Sequence, residues 1–191
     1  MKKAAVAALA LLVLGGGAVV ADTAYQKAKV YYNKRLQDED ALLVNGKVYA
    51  DVQSLSPALQ AFVQWDEAGG KLTIDKPNVH MILLDEENGM FGKVKRSTGK
   101  FTVYAQVDNL NTKLSEYKIT LTDPYDRDTV IDGRTESDED FKKFADSREF
   151  WIRSKLTAFE FKSIGEYKVR LWMKPVGGKL QLVSEKTISV S

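Results

Sequence analysis

Residues 42–65 read LLVNGKVYADVQSLSPALQAFVQW, and this stretch carries signals for a hairpin, a helix and a returning strand. Asn45-Gly46 stands between apolar, β-branched flanks, which is typical of a type I′ turn whose two central residues both need positive φ. The residues from Ser54 to Ala61 indicate a short helix with Pro57 in its first turn. The stretch therefore predicts a small α+β unit.

A second hairpin is expected to close this unit. Phe62, Val63 and Trp65 restart an extended pattern, and the segment 72–74 repeats it after a turn at 67–70. Because both segments alternate around a Gly-rich turn, we expect them to pair as antiparallel strands.

The unit also carries a pattern spread over three segments, which read KVYYNKRL, VNGKVYADV and VQWDEAGGKLTI. Its fixed points are Asn45, Gly46, Tyr49, Trp65 and Asp66. The pattern resembles the N-terminal domain of copper amine oxidases, over about residues 29–75. The resemblance implies a small module that occurs repeatedly in exported, wall-associated proteins of Gram-positive bacteria.

The resemblance does not imply amine oxidase activity. That chemistry needs several His ligands for copper, and this sequence contains one His. The sequence also departs from the family at residues 50–53, where Ala-Asp-Val-Gln replaces the usual Val-Pro-Leu-Arg, and at Leu59-Gln60, where the family often has Leu-Gly. No role of the family's Arg is carried over.

Residues 1–21, MKKAAVAALALLVLGGGAVVA, predict a signal peptide. Lys2 and Lys3 form a positive n-region, residues 4–14 form an apolar h-region, and Val19-x-Ala21 is a small-residue cleavage site. The alternative is a retained membrane anchor, since the apolar run approaches the lower limit of a spanning helix. Three consecutive glycines disfavour that helix. We expect a secreted or cell-wall-associated protein with no stable membrane span after cleavage.

The composition narrows the class of partner. The sequence has no Cys, so a Cys-linked lipid anchor is excluded and the exported protein must fold without disulfides. Cleavage removes two Lys from 28 basic residues and leaves 26, which balance 26 acidic residues. A neutral mature chain argues against nucleic acid as a partner, since that affinity comes mainly from an excess of Lys and Arg.

From residue 79 to the end, apolar and polar residues alternate with the period of strands that bury one face. These segments are 79–85, 101–107, 117–123, 150–156, 159–162, 167–174 and 179–190. About seven strands separated by turn residues are typical of an immunoglobulin-like sandwich. The predicted fold class is mainly β: an α+β module at 29–76, joined by a short linker to an immunoglobulin-like antiparallel β-sandwich at 79–191.

Two local features of the sequence add detail to the predicted sandwich. Tyr167, in the sequence GEYKV, matches the tyrosine corner of such domains, and we expect a structural hydrogen bond from it. Trp151 or Trp172 would be a core aromatic. The segment 135–150 breaks the strand pattern, and Ser137 as N-cap with Phe141 and Phe144 at helical spacing predicts a short helix docked on the core.

Metal ligands are sparse. His80 is the only imidazole, and strand alternation places it on the face opposite Asp85, which disfavours a shared ion. The densest group of carboxylates is Asp123, Asp126, Asp128 and Asp132. Calcium takes oxygens from such loops, but Asp-Pro-Tyr-Asp is equally typical of a type I turn, and we prefer the turn. We expect no cofactor, with Asp123, Asp126 and Asp128 as weak calcium candidates.

Exposed aromatic residues are the other functional signal, because rings with polar tips serve as platforms for sugars or peptides. The candidates are Tyr31, Tyr32, Tyr49, Tyr104, Tyr125 and Trp172. We select Tyr125, which lies in a turn, and Trp172 as the ligand-binding residues.

The sequence therefore predicts a secreted, non-enzymatic binding or structural module of the cell envelope, with wall polysaccharide or an envelope protein as its partner. One alternative is an extracellular hydrolase with paired carboxylates in a cleft between the two domains. Another is a protein-interaction or inhibitor domain that pairs through an open sheet edge, for which KTISV at 186–190 is the candidate.

Overall fold

The computed structural model describes residues 26–191, and these residues fold mainly as β-strands, which confirms the predicted class. The predicted signal peptide lies outside the described residues. The strands are β1 Gln26–Tyr32, β2 Arg35–Val44, β3 Lys47–Tyr49, β4 Phe62–Asp66, β5 Lys71–Asp75, β6 Asn78–Asp85, β7 Lys93–Val94, β8 Thr98–Asp108, β9 Leu114–Thr122, β10 Asp128–Thr135, β11 Phe150–Arg153, β12 Thr157–Glu160, β13 Gly165–Pro175 and β14 Gln181–Val190. The helices are α1 Val52–Leu59 and α2 Glu139–Lys142.

The first three strands form an antiparallel sheet in the order β1-β2-β3. Asn45 and Gly46 connect β2 to β3 with φ values of 50° and 73°, which is the conformation that the predicted type I′ turn requires. The turn between β1 and β2 uses the same conformation at Asn33 and Lys34.

Helix α1 begins two residues earlier than predicted. The carboxylate of Asp51 accepts a hydrogen bond from the backbone N–H of Gln53 at 2.9 Å, and this cap fixes the start at Val52. Pro57 consequently lies inside the helix and not in its first turn. The helix ends where Gln60 adopts a left-handed conformation.

Strands β4 and β5 form the predicted closing hairpin, with Trp65 opposite Leu72 and Val63 opposite Ile74. One face of this hairpin is therefore apolar. Phe62, at its start, is 1% exposed and belongs to the hydrophobic core of the sandwich. The hairpin thus packs against the rest of the chain through its first residues and leaves its far end in solvent.

Residues 78–191 form two sheets, antiparallel except for the short strand β7, together with helix α2. In one sheet β8 pairs with β6 on one side and with β11 and then β12 on the other. The second sheet has the order β10-β9-β13-β14-β7, with β7 parallel to β14. The two sheets enclose a core of alternating inward-facing residues, as in an immunoglobulin-like sandwich.

The predicted tyrosine corner is present at the start of β13. The hydroxyl of Tyr167 accepts a hydrogen bond from the backbone N–H of Ser163 at 3.0 Å, and the ring is 2% exposed. Its ring packs edge-to-face against Phe161, with centroids 5.2 Å apart. The corner ties the loop before β13 to the core.

The prediction that Trp151 or Trp172 is a core aromatic was wrong. In β13 it is Leu171 and Met173 that face the core, both fully buried, so Trp172 between them faces outward. In β11, Phe150 and Ile152 likewise leave Trp151 outside, where it lies against Tyr104 with ring centroids 5.3 Å apart.

Strand β10 was missed, because its alternation is interrupted by a bulge between Val130 and Asp132. Helix α2 forms where expected, although its N-cap is Asp138 and not Ser137. Phe141 is buried in the core and Phe144 packs beside it, as predicted for this pair.

Few residues separate the N-terminal elements from the sandwich. Lys76 and buried Pro77 are the only residues between β5 and β6, and the Lys76 ammonium group donates a hydrogen bond to the Leu59 carbonyl at 2.8 Å. The C-terminal run KTISV is not a fully open edge, because Ser189 and Val190 pair with β7. Ser189 and Val190 are therefore not available as part of the predicted docking edge.

Candidate binding cleft

A cleft of about 850 Å³ lies between the N-terminal elements and the sandwich. One wall comes from α1 and the hairpin β4–β5, and the other comes from the end of β13, the turn at 176–180 and the start of β14. Two tryptophans, Trp65 and Trp172, line it from opposite walls. This volume falls in the range of small-molecule and cofactor sites.

Trp172 reaches the cleft because of the strand geometry of β13. The register between β13 and β14 shifts at a bulge between Leu171 and Trp172, and the outward face of β13 carries the indole. Its indole N–H donates a hydrogen bond to the hydroxyl of Thr120 at 3.0 Å, and Thr120 is buried. The polar group of the ring is thus satisfied inside the protein, which leaves the ring surface to serve as an apolar wall.

Trp65 lies on the apolar face of the β4–β5 hairpin, directly opposite Leu72. Its side chain is 53% exposed, a large value for a residue of this size. Val63, two residues earlier, is buried and lines the cleft with it. The hairpin therefore contributes one half-exposed aromatic residue and one buried aliphatic residue to the lining of the cleft.

Polar side chains complete the lining, among them Gln64, Asp66, Lys71 and Lys179. One oxygen of Asp66 accepts a hydrogen bond from the backbone N–H of Gly69 at 3.0 Å, which orients the carboxylate. The site thus combines apolar rings with an amide, a carboxylate and ammonium groups, which is how polar ligands are oriented in a largely preformed cleft.

The two walls are joined directly by Gln181. Its side-chain oxygen accepts hydrogen bonds from the backbone N–H of Val63 at 2.8 Å and from the hydroxyl of Ser56 at 3.1 Å. The same hydroxyl lies 2.8 Å from the Ala61 carbonyl, so its single proton is shared between two acceptors. Since Ser56 and Val63 are both buried, these contacts hold the walls at a fixed separation.

The hydrolase alternative can be compared with the number of carboxylates that line the cleft. Among the described residues that line it, Asp66 is the only carboxylate. Glycoside hydrolysis by the usual mechanism needs two carboxyl groups that flank the scissile bond. The lining of this cleft therefore supplies one of the two carboxyl groups that this alternative needs.

Tyr125, the other predicted binding residue, does not lie near the cleft. It occupies the turn between β9 and β10 and is 68% exposed, as expected from its position. The guanidinium of Arg127 lies 5.3 Å from the centre of its ring. This turn packs beside Gly165 at the start of β13, whereas Trp172 lies near the other end of that strand. The structure does not bring the two candidates together.

The weak calcium candidates act as turn residues. One oxygen of Asp123 accepts hydrogen bonds from the backbone N–H groups of Tyr125 and Arg127, and the other accepts one from the Arg127 side chain at 2.7 Å. The hydrogen bond from Arg127 lowers the pKa of Asp123. Asp128 accepts a hydrogen bond from the hydroxyl of Thr122.

Across residues 26–191 there is no group of three or more His, Asp or Glu side chains placed to hold a metal ion. His80 lies exposed on β6, opposite Gln106 of β8. Asp132, the fourth acid of the sequence cluster, is buried in β10 and pairs with Arg134. The four acids therefore do not converge.

Sequence reasoning missed Trp65, Lys71 and Lys179 as site residues. Trp65 was assigned only to a strand and to the family pattern, although a Trp on a two-stranded hairpin has little core to enter. The two lysines carry no signal of their own. They become site residues only because residues more than 100 positions apart form one cleft.

No protein-family model matches the chain, and no curated protein matches it either. In the described part of the chain, neither helix combines the length and the apolar character that crossing a membrane requires. Among solved structures, the soluble domain of PmoD from Methylocystis sp. is similar to 68% of this chain and to 96% of its own length, with 11% identity and a TM-score of 0.33. A likeness of this size carries no argument about function.

Proposed function

We propose that this chain is an exported, non-enzymatic binding protein of the cell envelope, and that its cleft holds a polysaccharide of the wall. The observation that carries the proposal is the presence of Trp65 and Trp172 on opposite walls of one cleft, whose lining also includes polar side chains.

The chemistry of sugars fits this arrangement. A pyranose ring has C–H faces that are apolar and hydroxyl groups at its rim, so it is matched by an aromatic surface bordered by hydrogen-bonding groups. In the cleft, the indoles supply the surfaces, and Gln64, Asp66 and Lys71 supply donors and acceptors.

Support for the envelope comes from the sequence. Residues 1–21 have the pattern of a signal peptide, and residues 29–75 resemble a module of exported, wall-associated proteins. The absence of Cys is compatible with export, since the sandwich has a core large enough to stand without disulfides.

The test is retention of the protein, expressed without residues 1–21, on immobilised cell-wall polysaccharide. Trp65→Ala and Trp172→Ala are each expected to weaken binding by about tenfold or more, because each removes an aromatic wall of the cleft. Trp65→Ala is the safer variant for folding, since that side chain is half exposed.

Trp151→Ala is the matched control. Trp151 is 55% exposed, close to the value for Trp65, but it lies on the outer face of the other sheet. Its loss is expected to leave binding unchanged. Failure of the parent protein to bind any wall polysaccharide, or equal losses in all three variants, would refute the proposal.

A further inference from the structure

We infer that the polymer held in the cleft is anionic, carrying phosphate or carboxylate groups along its chain. The inference rests on the proposed function and specifies its ligand. It comes from the distribution of charge in and around the cleft and not from the net charge of the chain.

The cleft itself is cationic. Lys71 and Lys179 line it, against the single carboxylate of Asp66. Within the described side chains neither lysine forms an ion pair, although Asp66 lies directly across the hairpin from Lys71. The charged side chains of the lining thus carry a net positive charge, in a chain that is neutral once residues 1–21 are removed.

The cationic character continues onto the sheet beside the cleft. Lys118 of β9 lies directly opposite Trp172 on the outer face, and Lys174 follows two residues later on the same face. Neither forms an ion pair among the described residues, while Glu116 opposite Lys174 is the one acid at this end of the pair of strands. A polymer that leaves the cleft past Trp172 would meet these lysines next.

The other end of the same sheet face shows the contrast. There the Arg170 side chain donates a hydrogen bond to Glu185 at 2.9 Å and lies 4.0 Å from Asp128, and Lys168 lies 3.9 Å from Glu185. Away from the cleft, then, each cation of β13 forms an ion pair. On β9 and β13, the cations that form none among the described side chains are Lys118 and Lys174, which lie beside the cleft.

The lysines of the cleft are expected to affect which polymer binds more than how tightly any polymer binds. An exposed lysine contributes little by itself, and its attraction is screened over about 8 Å at physiological salt. Lysine binds phosphate and carboxylate as a point charge and does not demand one geometry. The rings would hold the sugar or polyol units, and the lysines would favour a polymer with regularly spaced anions over a neutral one.

The experiment compares three immobilised polymers: a neutral glucan, a uronic acid polymer and a phosphodiester-linked polymer. The protein without residues 1–21 is expected to bind at least one anionic polymer about tenfold more tightly than the glucan at low salt. That preference is expected to fall as salt is raised. Whichever anionic polymer binds more tightly identifies the anion.

Two sets of variants distinguish the contribution of the lysines to polymer binding from that of the aromatic rings. The double variant Lys71→Gln, Lys179→Gln is expected to lose most of the anionic preference while Trp65→Ala weakens binding to every polymer. The control is Lys95→Gln, Lys155→Gln, which makes the same change in net charge at exposed residues that do not line the cleft.

The outcomes distinguish the two proposals. Equal binding to the neutral and anionic polymers, or equal effects of the two double lysine variants, would overturn the inference and leave polysaccharide binding intact. Binding to none of the polymers would refute the proposed function itself.

Discussion

The side-chain oxygen of Gln181 accepts a hydrogen bond from the backbone N–H of Val63 at 2.8 Å, across 118 residues of sequence. The contact joins the first residue of β14 to the second residue of β4 and lies at the base of the cleft. Together with the burial of Phe62 in the core, this contact fixes the hairpin to the sandwich. The geometry of the proposed binding site depends on both contacts.

Replacement of this glutamine by methionine tests the contact. Gln181→Met keeps the length of the side chain but leaves the buried N–H of Val63 and the Ser56 hydroxyl without this acceptor, which should lower the free energy of unfolding by about 1–3 kcal/mol. Urea unfolding measures it. Gln53→Met, at an exposed residue of the same cleft, is the control and should change stability by less than about 0.5 kcal/mol. Equal effects of the two variants would show that Gln181 does not hold the walls together.

The tyrosine corner offers a second test. Tyr167→Phe removes the hydroxyl that accepts from the Ser163 N–H and keeps the buried ring, so we expect a loss of about 1–2 kcal/mol in unfolding free energy with the fold intact. Thermal or urea unfolding measures it. Tyr125→Phe removes a hydroxyl at an exposed turn and should be neutral. A neutral Tyr167→Phe would mean that the Ser163 N–H finds water instead.

Much of the fold could be predicted because its signals are local. The turn at Asn45-Gly46 follows from the two residues that tolerate positive φ, and the strands of the sandwich follow from alternation. The tyrosine corner was predicted from a five-residue motif and formed as expected. The same alternation, applied to Leu171 and Met173, would also have placed Trp172 outside the core.

The remaining features depend on contacts or irregularities that the local pattern does not show. Strand β10 was not predicted, because the bulge between Val130 and Asp132 interrupts the alternation of inward- and outward-facing residues. A cleft between the two domains was expected only in the hydrolase alternative, and its aromatic lining was not predicted, because Trp65 and Trp172 line one cavity only when the hairpin docks on β14. Trp172 was selected as an exposed aromatic, but Trp65, its counterpart, was not.

The carboxylate of Asp123, in the turn between β9 and β10, leads us to expect that the stability of the fold decreases in acid. The pKa of Asp123 is lowered below 3.8 in the folded protein, chiefly by the hydrogen bond from Arg127, so the carboxylate stabilises the fold above that pH. This contribution is lost as pH falls from 3.8 through the folded pKa. Asp123→Asn should therefore be less stable than the parent at neutral pH, and the difference should shrink in acid. Urea unfolding at a series of pH values measures this difference.

Asp126→Asn is the control for that experiment. Asp126 lies in the same turn with a φ of 60°, a conformation that Asn tolerates well. Its side chain makes no hydrogen bond among the described residues, so Asp126→Asn should leave the stability at neutral pH nearly unchanged. A difference for Asp123→Asn that does not shrink in acid would show that the Arg127 contact does not favour the ionised carboxylate.

The buried phenol of Tyr117 leads us to expect that the stability of the fold decreases at alkaline pH. Burial, followed by the nearby charge of Asp132, raises the pKa of its phenol from 10.0 to about 12, with the ring held between Phe141 and Phe144. Above pH 10.0 the unfolded chain loses this proton while the folded protein keeps it until about 12, so the stability gained by the neutral phenol is lost over that interval. The stability of the parent relative to Tyr117→Phe should therefore fall by about 2–3 kcal/mol between about pH 9 and about pH 12. Denaturant unfolding at stepped pH measures it, and Tyr125→Phe, at an exposed ring, supplies the comparison. Parallel pH profiles for the parent and Tyr117→Phe would mean that the phenol ionises equally easily in the folded and unfolded chains.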